Sequence, residues 1–390
     1  MKKQLRICDV TIVSFYAFLS GFVYIEPSPA ELFFIFTLPF MFRKLVIKDA
    51  SLAVFLILSL STILPSVHSY LVHGWINLRF IIIDFYLYTV FLIYSSIIND
   101  RKKEYEFVVN EIMTFWTFGV LLNILLYIFC IITGRKEVLG NEVVAFGLRL
   151  KGMFKDPNVA GPYIVVPTLY WMAKYFTKEK ANFYHLVLMI ILFSGVVFSF
   201  SRAAWINFGI SFTVMYINLL LLKNNLRRTV KSRSSALLVF FAAVLLFSLL
   251  YNPKIYGDMR IGDFLKARLK VQKYDTDRLS SWVHGINALR SFTYLGLGTG
   301  NFEKCSPIAA HQTYIRFAAE RGFSSVYLII FLSATIIYKK VKVKNKEKCE
   351  CTNVEYIVVK SALLGSLING MFIDAYHWRH LWVLLAMMLI

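Results

Sequence analysis

Charge is scarce in this sequence. Only 17% of its 390 residues are Asp, Glu, Lys or Arg, where a soluble domain carries about 25%. With 58% apolar residues and a mean hydropathy of +0.60, that scarcity excludes an ordinary soluble enzyme, a disordered chain and a coiled coil. Cysteine is rare as well. Cys8, Cys130, Cys305, Cys349 and Cys351 match no zinc spacing and do not make a disulfide-stapled scaffold. Sustained polar/apolar alternation is missing, which excludes a membrane β-barrel. There is no internal repeat and no low-complexity tract. A GxxxxGK[ST] loop is also missing, and Gly296-Leu297-Gly298-Thr299-Gly300 lacks the spacing of a dinucleotide fold, so nucleotide chemistry is set aside. That glycine run is read as a turn, with a backbone-amide nest for phosphate as the alternative.

What the sequence has is long apolar runs. A bilayer-spanning helix needs about 17–25 such residues. The runs 7–25, 30–42, 50–66, 78–97, 108–133, 159–174, 184–199, 203–222, 236–251, 322–338, 356–373 and 380–390 predict an all-α, polytopic membrane helix bundle of about twelve transmembrane helices. It forms one transmembrane domain over 1–390. Met1 to Arg6 is similar to the start of a signal peptide, but the following run is long and has no small-residue cleavage site, so it is read as an uncleaved first span.

The cations outnumber the anions, 43 to 23, for a formal net charge of +20. In a membrane protein this reflects retention of cations on the cytoplasmic side and calls for no nucleic-acid partner. Lys2/Lys3/Arg6, Arg43/Lys44/Lys48, Arg101/Lys102/Lys103, Lys174/Lys178/Lys180, the cluster from Lys223 to Arg233 and the run from Lys339 to Lys348 alternate consistently under one topology, with the N-terminus cytoplasmic. Two loops on the opposite, periplasmic side break the rule. Loop 134–158 holds Arg135, Lys136, Arg149, Lys151 and Lys155; loop 252–312, the longest polar stretch, holds Lys254, Arg260, Lys266, Arg268, Lys270, Lys273, Arg278, Arg290 and Lys304. Arg202 lies between them in sequence. As a set, these cations suggest an external anion site, and pyrophosphate on a lipid carrier fits it.

Three segments carry candidate chemistry. In 311–322, Gln312, Arg316 and Glu320 recur at helical spacing and share a face. His311 is a general-base candidate, and His284 in the same loop competes with it. In 149–161, Arg149 and Lys151 precede a Pro157-Asn158 helix start, with Asn158 expected at the N-cap; the cations and the helix end together make an anion site. Ser199-Phe200-Ser201-Arg202 sets an arginine at a membrane edge, where it is costly unless paired or functional. Within the large loop, 277–291 predicts a helix with Trp282, Ile286 and Leu289 on its packed face. Asp275-Thr276-Asp277 is similar to a metal-binding DxD pair but is read as the cap of that helix, so no metal is assigned. Asp84 and Lys360 are the charges deepest in apolar runs, and Asp84 predicts an interhelical hydrogen bond.

These segments, in this order, resemble the O-antigen ligase/polymerase family of bacterial membrane glycosyltransferases. The match rests on RLKGMFKDPN (149–158), SFSRAAW (199–205), DRLSSWVHGINAL (277–289), GLGTGNF (296–302) and HQTYIRFAAERG (311–322), and it covers roughly 145–340. His311, Gln312 and Gly322 satisfy the family's His-[Asn/Ser/Gln]-x9-Gly element; Ser325 stands where the family often has a second glycine. The resemblance implies a fold similar to the lipid-carrier-dependent GT-C transferases, in the bacterial inner membrane. It implies no cofactor, a glycan donor on undecaprenyl pyrophosphate, and a lipid- or glycan-bound acceptor. Arg202 and Arg278 would hold the pyrophosphate with Arg149 assisting, His311 would activate the acceptor hydroxyl, and transfer would invert the anomeric centre without a metal. A surface-polysaccharide polymerase working with a chain-length regulator is the preferred expectation. A ligase moving finished glycan onto lipid A-core or protein, and a transporter of lipid-linked oligosaccharide, remain open.

Overall fold

Helices form along the apolar runs, and local signals fix their ends. In the computed structural model, residues 2–42, 47–178, 183–222, 227–235, 273–291, 294–326 and 351–388 are described, with short pieces at 254–256, 259–260, 262–263, 266, 268 and 270. The helices are α1 (Lys2–Leu19), α2 (Pro29–Phe42), α3 (Asp49–His73), α4 (Leu78–Asp100), α5 (Tyr105–Thr133), α6 (Pro157–Thr177), α7 (Phe183–Phe198), α8 (Arg202–Leu220), α9 (Lys273–Ser291), α10 (Thr313–Arg321), α11 (Cys351–Asn369) and α12 (Arg379–Met388). The expected span 236–251, most of 322–338 and the lysine run 339–348 lie outside the described residues. Helix α3 ends at Gly74, whose φ of 67° lets its N–H return to the carbonyls of Ser69 and Tyr70. Helix α8 begins at Ser201, whose hydroxyl accepts from the Ala204 amide at 3.3 Å. Loop 134–158 adds a β component that periodicity does not reveal. The hairpins Glu137–Val138 with Asn141–Glu142 and Val144–Ala145 with Arg149–Leu150 are antiparallel.

Among the described residues, Asp49–His73, Leu78–Asp100, Lys102–Thr133 and Arg202–Leu220 are long and apolar enough to cross a bilayer. Helix α3 shows the polarity expected of a lipid-facing element. Its buried face carries Ser51, Ser59, Ser61, Thr62, Ser66 and Ser69, while Leu56, Leu60, Leu64 and Leu71 are at least half exposed. A water-facing helix would be the other way out. A helix in hydrocarbon gains nothing by hiding leucine, and its small polar residues turn inward to find partners.

The chain divides into two compact units, Met1–Phe36 with Glu106–Val271 and Cys349–Gly365, and Thr37–Tyr105 with Gln272–Lys348 and Ser366–Ile390. In the first, α6 is tied to its neighbours by polar bonds through the apolar interior. The Tyr163 hydroxyl donates to the Ala17 carbonyl at 2.8 Å and the Trp116 indole donates to the Tyr163 carbonyl at 3.1 Å. Lys174 donates to Glu355 at 2.5 Å, with both side chains buried. In the second unit α3, α4 and α12 pack together, and α9 packs on α10. Helix α9 appears where expected but turned. Ser281, Gly285 and Ala288 are buried, whereas Ile286 is 43% exposed; Trp282 and Leu289 are half-buried. The expected Trp282–Ile286–Leu289 face is therefore not the packed one. Small residues won because α10 comes too close for large ones: a Cβ on Gly285 would sit 2.3 Å from Ile315 Cγ2.

Candidate functional site

The first unit brings part of the predicted anion site together. Arg149 lies on the second strand of its hairpin and is 5% exposed. Its Nη2 donates to Asn158 Oδ1 at 2.9 Å and its Nε donates to the Ser199 carbonyl at 3.1 Å. Two predicted segments, 149–161 and 199–202, thus meet at one guanidinium. The N-cap of α6 is Asp156, not Asn158: the Asp156 carboxylate accepts from the Asn158 amide at 2.6 Å, and Pro157 takes the first helical position. This frees the Asn158 side chain to receive Arg149. Lys151 is directed elsewhere, donating to Asn141 Oδ1 at 3.3 Å with Glu142 at 3.9 Å. Arg202 opens α8, directly after its cap, and Arg268 Nε donates to the Phe200 carbonyl at 3.2 Å.

The second unit holds the other candidates. Arg278 is half-buried on α9. One turn later Ser281 donates to the carbonyl of Ala310, the residue before His311, at 3.1 Å. Helix α9 begins at Lys273, so Asp275 and Asp277 lie inside it and do not cap it. Its fellow candidate His284 is exposed. Gln312 caps α10, its side-chain oxygen accepting from the Ile315 amide. Glu320 is 3% exposed and takes Arg316 Nε at 3.0 Å. Its carboxylate also accepts the amides of Gly300 at 2.9 Å and Phe302 at 3.4 Å. The glycine-rich turn therefore does make an anion nest, and an internal carboxylate fills it. Gly296 and Gly300 both have φ near 70°, and a Cβ on Gly296 would sit 2.5 Å from the Glu320 carbonyl.

From Arg316 an ion network runs deeper. Arg316 Nη1 donates to Asp374 Oδ2 at 2.9 Å, and Nη2 lies 3.5 Å from Glu303. His377 sits between two acids, with Nε2 3.2 Å from Asp84 and Nδ1 3.9 Å from Asp374. Asp84 is fully buried and pairs with Arg321, which is 1% exposed. The other Arg321 nitrogen, Nη1, donates to Ser61 at 3.1 Å and to Thr62 and Tyr88, each at 2.8 Å. Its guanidinium lies 4.1 Å from the Phe317 ring centroid and 5.2 Å from that of Tyr376. Partial burial pulls the His377 imidazole down, but hydrogen bonding and charge from Asp374 and Asp84 outweigh it and hold its pKa up to about 9. Burial would raise the Asp374 carboxyl; the His377 hydrogen bond and the Arg316 charge outweigh that and hold it well below the usual carboxylate range. His377 is therefore an imidazolium at neutral pH.

Asp374, Tyr376 and His377 have no part in the sequence reading, although one signal was present. In Ile373-Asp374-Ala375-Tyr376-His377-Trp378 polar groups interrupt two apolar runs at a helix–helix turn.

Two backbone features fall on the candidate segments. Among the described residues, four non-glycine positions take positive φ: Leu139, Phe146, Phe200 and His311. Phe200 (φ 46°) is followed by cap Ser201 and then Arg202. His311 (φ 47°) is followed by cap Gln312 and then α10. Such conformations cost of order 1–3 kcal/mol each and persist where surrounding structure enforces them, often at functional sites. No protein-family model matches this chain, and no curated protein matches it.

Proposed function

We propose that this protein is a membrane glycosyltransferase of surface-polysaccharide synthesis, a polymerase that moves undecaprenyl-pyrophosphate-linked glycan to an acceptor hydroxyl at the periplasmic face. The observation that carries the reading is the enforced left-handed backbone at Phe200 and His311. It marks, from geometry, two of the segments that carry the family resemblance. The clustering of Arg149, Asn158 and Ser199 supports it from a third.

In this reading about twelve helices cross the inner membrane, with the N-terminus cytoplasmic and loops 134–158 and 252–312 outside. The family resemblance, not the relative placement of the two units, assigns the guanidinium groups of Arg149, Arg202 and Arg278 to the donor pyrophosphate. His311 takes the proton of the acceptor hydroxyl as its oxygen attacks the anomeric carbon from the face opposite the pyrophosphate. The bond from that carbon to the phosphate oxygen breaks, and undecaprenyl pyrophosphate leaves with inversion. Pyrophosphate is a good leaving group, so the main task is to stabilise charge developing on it, which suits guanidinium. A chain-length regulator is the expected protein partner.

The test is deletion of the gene, with surface glycans resolved on gels and complementation by wild type, His311→Ala and Arg202→Ala. Collapse to a single repeat unit on the normal acceptor supports a polymerase. Polymer stranded on the carrier identifies a ligase, and single units stranded on the cytoplasmic side identify a transporter. Each variant is expected to lose at least about 10²-fold in rate, from the base or from a charge-stabilising donor. Full glycan with His311→Ala sinks the assignment of the base and moves the test to His284.

A further inference from the structure

The first turn of α10, two residues after His311, is bonded to the last turn of α11 and to the turn that joins it to α12. The Thr313 amide donates to the Gly370 carbonyl at 2.8 Å. The Thr313 hydroxyl donates to the Ile373 carbonyl at 3.1 Å and accepts from the Ala375 amide at 2.8 Å. Tyr314 Oη donates to the Leu367 carbonyl at 2.7 Å, and Arg316 reaches Asp374 at 2.9 Å. Thr313 is 6% exposed, and its buried hydroxyl is satisfied both as donor and as acceptor. Helix α10 is a nine-residue helix, too short to hold itself in place. The residue before its cap nevertheless stays in a conformation that its neighbours must enforce. The bonds from Thr313 are the nearest of these on the C-terminal side of His311, while on its other side Ser281 holds the Ala310 carbonyl at 3.1 Å.

We propose that the turn 370–375 is a clamp that positions His311, with Thr313 the positioning residue through which it acts and Asp374 the outer anchor on Arg316. The proposal rests on His311 being the general base. A base must lie within hydrogen-bond reach of the proton it takes, and a displacement of about 1 Å can cost about 10²-fold. Releasing the clamp should therefore slow the chemical step and leave donor binding alone.

The experiment compares Thr313→Val, which removes the hydroxyl at nearly constant volume, with Thr313→Ser, which keeps it. Each is made in the wild-type and His311→Ala backgrounds. Full-length protein in proteoliposomes is supplied with lipid-linked glycan extracted from a strain lacking the gene. Expected are a fall in kcat of about 10-fold to 100-fold for Thr313→Val with KM for the donor unchanged, and recovery to within about 3-fold for Thr313→Ser. No further loss is expected from Thr313→Val on the His311→Ala background. Amide exchange at 311–316 should quicken in Thr313→Val and not in Thr313→Ser, which separates a released clamp from global unfolding. Equal losses in both backgrounds, an unaffected kcat, or a loss shared by valine and serine overturns the clamp. A fully active His311→Ala overturns the assignment of the base and the clamp with it, whereas wild-type protein that extends no glycan overturns the proposed function itself.

Discussion

Asp84→Ala isolates the contribution of the deepest ion pair. In the native protein Asp84 is completely buried and Arg321 is 1% exposed. The substitution leaves Arg321 with neutral partners only: the hydroxyls of Ser61, Thr62 and Tyr88 and the rings of Phe317 and Tyr376. It also strips His377 of the carboxylate 3.2 Å from its Nε2. Removing one partner of a buried pair costs about 3–5 kcal/mol because the other charge stays behind without compensation. The double variant Asp84→Leu/Arg321→Met removes both charges at similar volume and is expected to regain most of that loss, since a buried pair and an apolar replacement are often near equal. The assay is reversible denaturation of the purified protein in detergent micelles, with tryptophan fluorescence as the signal. A single variant within about 1 kcal/mol of wild type would refute the reasoning, because Arg321 would then have found water or another anion. A double variant no better than the single would refute it as well, since hydroxyl geometry would then matter more than charge.

Two further perturbations test separate parts of the second unit. His377 has its pKa raised from 6.5 to about 9 in the fold, so its contribution is fully present below pH about 6.5 and is lost as pH rises through about 9. At about 1.36 kcal/mol per unit this is at most about 3.4 kcal/mol. Thermal midpoints between pH 6 and 10 should fall across that upper window in wild type and stay flatter in His377→Gln; parallel curves would remove His377 as the cause. Gly296→Ala should destabilise by about 1–3 kcal/mol from the positive φ alone, and by more because the new Cβ meets backbone of Glu320 that cannot step aside. Wild-type stability in that variant would mean that the 296–300 turn is not held as described.

The helices were legible because a bilayer requires long apolar runs, and those runs need no partner to be recognised. The apolar run expected to span ends at residue 66, but α3 continues to His73, where Gly74 stops it, and α8 starts from Ser201. Legibility failed wherever the deciding contact was distant or concerned size. Asn158 was expected at the cap because the cap residues Asp156 and Asn158 flank the same proline; Arg149, on a strand that periodicity cannot detect in two residues, settles its role. Helix α9 was expected to bury its largest side chains, and close approach to α10 buried the smallest instead. His311, Arg202 and Arg149 are candidates by residue type and spacing alone. Asp374 and His377 interrupt two apolar runs, but their partners Arg316 and Asp84 are 58 and 293 residues away, so the local sequence flags the polar turn without naming what it pairs with.

Asp84 is where this distance matters most for function. As a lone carboxylate in an apolar run, it is the sign of a transporter, in which a charge within the membrane carries a substrate or proton by changing partners. In the fold it is engaged at both oxygens, by Arg321 and Thr62 on one and His377 on the other. Arg321 is in turn engaged by three hydroxyls and enclosed by two rings. Moving substrate through such a centre would mean breaking a buried pair and exposing an arginine to hydrocarbon in every cycle, at about 3–5 kcal/mol or more. A network built this way favours rigidity. Rigidity is what α10 needs if a strained residue at its head is to meet an acceptor hydroxyl in one fixed place, so the interhelical pairing of Asp84 argues against transport and agrees with the proposed transferase.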